Sequence, residues 1–258
     1  MTLLSPSIDG LGPDLLAAAL VAMRLLPVAL LCPLLGGQLA PPHVRLAIAL
    51  CLALALRPLA GPLPAMGPLL WAKFAREAAV GLAIGLAAAL PFDAARISGR
   101  LIDLVRGTSA EAALPIAGHR EAATGDLLHQ WILCLALASG ALPSLVRALA
   151  RSYLLLPLGA AGLEEQGAVA LGRLVSLALA TGLSIAAPVL ALVWATDAAL
   201  GLIARASPAL PLHEVAAPVR ILGGAGVLWL SLGLVAERLL QWVADAPLSW
   251  AALLGGRR

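Results

Sequence analysis

Asparagine does not occur anywhere in this chain of 258 residues, cysteine occurs three times, and charged residues make up only 12% of it. Each scarcity excludes something. Without asparagine there is no acceptor for N-glycosylation. Cys32, Cys51 and Cys134 lie inside apolar runs with no paired spacing, which suits buried thiols and fits neither a disulfide framework nor a metal site. Of 17 basic residues only Lys73 is a lysine; the arginines are scattered singly and the net charge is +3. No basic stripe of the kind nucleic acid requires is present, and no nucleic-acid partner is expected. A charged fraction this far below the usual quarter, with 61% hydrophobic residues and a mean hydropathy of +0.97, describes an integral membrane protein.

Catalytic motifs are missing as well. His213-Glu214 is followed by Val-Ala-Ala, so the second helical histidine of a metalloprotease site is lacking and a zinc ion would be short of a ligand. Neither a Gly-x-Ser-x-Gly elbow nor a phosphate-cradling Gly-x-x-x-x-Gly-Lys loop occurs. His43, His119, His129 and His213 are dispersed and read as loop or interfacial groups. The expectation is a chain with no enzymatic activity, no cofactor and no metal.

What is present is a series of apolar runs around one long polar interruption, Asp93 to Asp126. From Asp93 to Arg106 the charges Asp93, Arg96, Arg100, Asp103 and Arg106 recur at three- and four-residue steps, with Ile97, Leu101, Leu104 and Val105 on the other side. That spacing predicts a short amphipathic helix, its opposite charges placed to meet across one turn for about a few tenths of a kcal/mol each. Gly107 ends it. The stretch Thr108 to Thr124 lacks periodicity and reads as a loop, either a solvated connection between membrane helices or a moving, sealing element.

Taken in order, the first run extends from Leu15 to about Leu35 and carries Arg24 and Pro27 in its middle. An arginine within a span faces protein or water, and a proline frees a carbonyl that a neighbour must satisfy. Val44 to Leu56 completes a helical hairpin ending at Arg57-Pro58. The run Leu69 to Leu90 opens on Trp71, as an interfacial aromatic does, and continues with Lys73, Arg76 and Glu77. Glu77, Gly81 and Gly85, four apart, form a stripe that admits another backbone; alternatively Lys73 and Glu77 merely pair along the helix. A fourth run from Leu127 meets Pro143 and continues through Arg147 and Arg151, which share a face, to Leu156-Pro157. Ala168 to about Ala206 is too long for one ordinary span, and Pro188, with Thr181 and Ser184 before it, predicts a kinked or broken helix. Its end bears a second stripe, Asp197, Gly201 and Arg205, and stops at Ser207-Pro208. The last run, Val215 to Val243, holds a glycine cluster at 223–226 and precedes a tail expected to fray beyond Pro247. The N-terminus lacks the basic start of a secretory signal and is expected to be retained. Arginines fall in similar numbers on alternate loops, so the positive-inside rule gives no orientation, and charges inside apolar runs point to helices buried against other chains.

These features in this order resemble the SctT/FliR family, the export-gate subunit of type III secretion systems: Arg24 and Pro27; Pro33, Arg45 and Pro58; Glu77-x-x-x-Gly81-x-x-x-Gly85; Ile102-Asp103-x-x-Arg106-Gly107; and Pro188, Asp197, Gly201, Arg205, Pro208 and Pro218. The Asp103 to Gly107 segment is closer to the injectisome branch than to the flagellar one. In the family an acidic residue commonly precedes the loop proline; here Leu114 precedes Pro115. The resemblance implies an all-α, polytopic membrane protein of the bacterial inner membrane, with proline-broken helices and one short amphipathic helix before a central plug-like loop. It implies a single export-gate domain over 1–258, with helical parts at 1–92 and 127–258 flanking the amphipathic helix and loop at 93–126. It further implies one copy joined to SctR-like and SctS-like subunits in a closed pore for unfolded secreted polypeptides, an SctU-like switch subunit alongside, and surrounding lipid. On the same grounds Gly107, Thr108, Ser109, Ala110, Glu111, Leu114, Pro115 and Ile116 belong to the plug. Arg24, Glu77, Gly81, Gly85, Asp103, Arg106, Pro188, Asp197, Gly201, Arg205 and Pro208 belong to packing or assembly. A competing class is a secondary transporter, in which Arg24, Glu77, Asp197 and the break at Pro188 form a midplane substrate site.

Overall fold

A computed structural model describes residues 8–36, 40–61, 70–107, 123–159, 165–207 and 212–253. Every element among these is helical: α1 (Ile8–Leu31), α2 (Pro42–Leu56), α3 (Leu70–Arg106), α4 (Ala123–Ala138), α5 (Ala141–Leu155), α6 (Glu165–Ala206) and α7 (Leu212–Leu253), with single 3-10 turns at Pro33–Leu35 and Arg57–Leu59. Five helices are long and apolar enough to cross a membrane, or six spans if α4 and α5 together make one broken crossing. This is the all-α polytopic architecture expected.

The helices run longer than the apolar runs suggest. The segment 93–106 is helical, but it is not a separate element: α3 passes through Pro91 without interruption for 37 residues. An interior proline costs a helix about 3 kcal/mol. Here Ala87 to Phe92 are all buried, so packing on both sides of the proline outweighs the lost hydrogen bond. α6 likewise continues through Pro188 for 42 residues, and α7 through Pro218 and Pro247 to Leu253, past the point where fraying was expected. The chain does break between α4 and α5, at Ser139-Gly140 and not at Pro143. Gly140 takes a left-handed φ of 82°, while Pro143 falls in the first turn of α5, where no intrahelical N–H is needed. At about 1.5 Å per residue α3 is about 55 Å long, whereas even a 40° tilt stretches a crossing of the hydrocarbon layer only to about 39 Å. Part of α3, and more of α6 and α7, therefore extends beyond the hydrocarbon.

Two compact units interleave along the chain. One comprises residues 1–90, 137–175 and 243–258, the other 91–136 and 176–242. In the first, α1, α2, the start of α3 and α5 close around Leu20, Val21, Leu25, Ala53, Ile84 and Leu149. In the second, the end of α3 packs with α4 and α6: a methyl group on Gly182 would stand 3.0 Å from the Ala94 carbonyl oxygen. Within the 18-residue apolar stretch of each span, 72% of residues are buried in α3, against 33% in α6 and 17% in each of α7 and α2. α3 contributes to both units, and the last two helices carry about half of the exposed large hydrophobic side chains among the described residues.

Candidate functional site

The first unit is built on a buried ion pair. Arg24 of α1 and Glu77 of α3 are both 0% exposed, with Nε 2.7 Å from Oε2. A buried charge is tolerated only when its remaining hydrogen-bonding capacity is met, and here it is. The Arg24 guanidinium donates to the Ser152 carbonyl at 3.2 Å, the Ser152 hydroxyl at 3.4 Å and the Leu156 carbonyl at 3.0 Å, and lies 4.3 Å from the centre of the Tyr153 ring. Glu77 accepts the Gly159 N–H at 2.8 Å, and the Tyr153 hydroxyl donates to the Val21 carbonyl at 3.2 Å. Three helices and the turn after α5 are thereby tied to one point.

Gly81 and Gly85 face the same neighbour. A methyl group on Gly81 would overlap the Arg24 carbonyl, and one on Gly85 would come within 3.0 Å of the Val28 Cα. The stripe Glu77-Gly81-Gly85 thus serves packing against α1 of this same chain. Ser152, Tyr153 and the amide of Gly159 complete the site and are not singled out by the sequence. Tyr153, the sole tyrosine in the chain, is the available signal; the backbone partners leave none. Next to this core Cys32 is a buried, free thiol.

The second unit gathers the polar residues of the amphipathic segment onto other helices. Asp103 accepts the Thr124 N–H at 2.8 Å and also the Thr124 hydroxyl, and Arg96 Nε lies 3.8 Å from the Asp126 carboxylate. Arg106, in the last turn of α3, donates to the Ile221 carbonyl of α7 at 2.8 Å. Its stem crosses α7 at Gly224, where a methyl group would stand 2.9 Å from Arg106 Cδ. Gly107 follows with a left-handed φ of 71°. Between α6 and α7, Arg220 Nε and Asp197 Oδ1 are 2.6 Å apart, with 35% and 38% of their side chains exposed.

The second stripe behaves unlike the first. Asp197 is held by Arg220, a pairing the sequence does not reveal, and no atom lies within 4 Å of a methyl group placed on Gly201. Gly201 and Arg205 are exposed, as is Pro188. Thr108, Ser109, Ala110, Glu111, Leu114, Pro115, Ile116 and Pro208 fall outside the described residues. Among the described residues, no group of three or more His, Cys, Asp or Glu side chains is placed to hold a metal ion.

Comparison with known proteins gives this arrangement a lineage. The family model for bacterial export proteins, family 1, matches residues 15–246. The chain belongs to this family. The flagellar biosynthetic protein FliR of Caulobacter vibrioides is 29% identical over 224 residues, covering 85% of this chain and 89% of that protein. FliR of Escherichia coli is 26% identical over 220 residues, 83% of each chain. The Yop proteins translocation protein T of Yersinia pestis is 30% identical over 148 residues, 56% of this chain and 57% of its own. The SctT/FliR resemblance is therefore a family relationship, and the family is one of export subunits, not enzymes. With its long apolar helices, the chain is a multi-pass protein of the bacterial inner membrane. Relatives from flagellar and Yop systems match at similar identity, so identity does not separate the two branches.

Proposed function

We propose that this chain is the single-copy subunit of a type III export gate of the injectisome branch. In this reading residues 1–258 form one membrane-embedded domain. It combines with SctR-like and SctS-like subunits, beside an SctU-like one, into a closed helical pore for unfolded polypeptides. The observation that carries the reading is the uncovered surface of α6 and α7. Most of their span surface is open, and the half-exposed Asp197–Arg220 pair sits within it. A half-covered ion pair on an apolar membrane helix is costly against lipid and calls for protein or water beside it. A transporter reading loses its best residues, because Arg24 and Glu77 are saturated by partners inside the chain.

The segment from Gly107 to Thr124 is the plug of that pore. Thr108 to Gly118 is built mainly of small residues, with apolar bulk only at Leu114, Pro115 and Ile116, and fills a narrow channel without gripping its wall. A closed state favoured 99:1 needs only about 2.7 kcal/mol, so a light seal suffices. Deleting Ser109 to Ile116 is expected to leave assembly intact and to raise leakage of ions or small solutes across the membrane. If the deleted gate assembles, stays as tight as the wild type and exports normally, the segment is a mere connector and the plug assignment is wrong.

A further inference from the structure

α5 buries one side and turns two arginines outward on the other. Leu145, Ala148, Leu149, Ser152 and Tyr153 face inward, the last two meeting Arg24 and Val21 of α1. Arg147 and Arg151, one turn apart on the opposite side, are exposed, and among the described residues neither takes part in a hydrogen bond or an ion pair. Pro143 and Ser144, also exposed, stand at one end of this stripe, and Leu154, 73% exposed, stands at the other.

The depth of the two arginines follows from what α5 touches. It meets the turn at Pro33–Leu35, at the closed end of the α1–α2 hairpin, and the turn at Arg57–Leu59, at its open end. α5 therefore lies along the hairpin, both arms of which are apolar enough to cross the membrane. Its 15 residues make it about 22 Å long, less than the hydrocarbon layer of about 30 Å. An arginine at such a depth faces the inside of a bundle, pairs, or snorkels to the surface from a helix end. Arg24, on the inner side of α5, is fully supplied with acceptors. Arg147 and Arg151 face away from that interior. Helical side chains lean toward the helix N-terminus, so Arg151 leans toward Arg147 and away from the nearer end of α5.

We propose that the Arg147–Arg151 side of α5 is a contact surface for a neighbouring export subunit, and that its occupant is a helix presenting carboxylates to the two guanidinium groups. This rests on the reading of the chain as one subunit of a gate. Lipid tails offer a guanidinium no acceptor, whereas a carboxylate matches its planar fork with two hydrogen bonds. Leu154 beside the pair suits a dry, packed contact better than a water-filled wall.

The test uses the full chain co-expressed with its SctR-like and SctS-like partners. Arg147→Lys/Arg151→Lys keeps both charges and supplies amines that a membrane-permeant carbodiimide joins to an adjacent carboxylate as an amide. Peptide mapping should find position 147 or 151 linked to an Asp or Glu of a partner subunit, and the lysine pair should assemble within about twofold of the wild type. Arg147→Glu/Arg151→Glu should lower the yield of complex about tenfold or more, the loss expected when one side of a desolvated charge pair is removed, while the chain resists protease as the wild type does. A reversed pair that assembles normally overturns the proposal, as does the absence of any such amide. Anionic lipid retained by the wild-type complex and lost on reversal, with assembly unchanged, would make this a lipid surface. Unchanged assembly with altered ion selectivity would place the arginines on the pore wall; either result overturns the proposal. If the reversed chain is degraded, the amide alone decides. If the wild type fails to co-purify with these subunits, the gate reading fails and the surface with it; normal variants in an assembled complex reject the surface alone.

Discussion

Arg24 shows how a single side chain organises a membrane protein. Its charge is out of water, so its stability depends on Glu77, and removing one partner of such a pair typically costs about 3–5 kcal/mol because the other charge is left uncompensated. Glu77→Ala should therefore sharply lower the thermal stability of the protein in detergent. Replacing both, Arg24→Met with Glu77→Leu, should recover most of the loss, since well-packed apolar residues substitute for a buried pair at little cost. Equal melting of Glu77→Ala and the wild type would mean that the pair is not buried as described. The charges themselves are visible in the sequence as residues in need of partners. Their pairing is not, because Arg24 and Glu77 are 53 residues apart and half of the arginine's hydrogen bonds go to carbonyls, which every residue possesses.

At the level of helices, apolar periodicity locates every membrane-spanning element but misjudges the ends. The third run reads as ending at Leu90, the fourth as meeting Pro143 and continuing, and Pro188 as a kink or break. Burial of Ala87 to Phe92 carries α3 across Pro91, and the true break before α5 is made by the left-handed Gly140. The two acid-glycine stripes look alike in the sequence and differ in the fold, since only the first has a backbone against it. Gly81→Ala should destabilise the isolated chain, because the added methyl overlaps the Arg24 carbonyl. Gly201→Ala should leave it unchanged or up to about 1 kcal/mol more stable, the helix propensity gained at an open site. Resistance to protease in detergent compares the two. Gly201→Leu should then prevent assembly while sparing the isolated chain. If it assembles and secretes normally, the second stripe is incidental.

For the whole molecule, the sequence indicates its class; its failed positive-inside rule and charges inside apolar runs read as helices covered by other chains, but of those charges Arg24 with Glu77 and Asp197 with Arg220 pair within this chain. The surface on which they would be covered emerges only with the fold, because exposure of α6 and α7 depends on what the neighbouring helices of their own unit leave uncovered. The two interleaved units are likewise illegible in the sequence, since they join stretches distant along the chain. On the proposed function, this protein works as one copy within an assembly of export subunits. Native mass spectrometry of the tagged 26.1 kDa chain, extracted in mild detergent from membranes that also contain the SctR-like and SctS-like proteins, tests it most directly. The prediction is a single particle with one copy of this chain and several copies of each partner, and no secretion by the chain when the partners are absent. A stable, monodisperse monomer that supports secretion without them would contradict it.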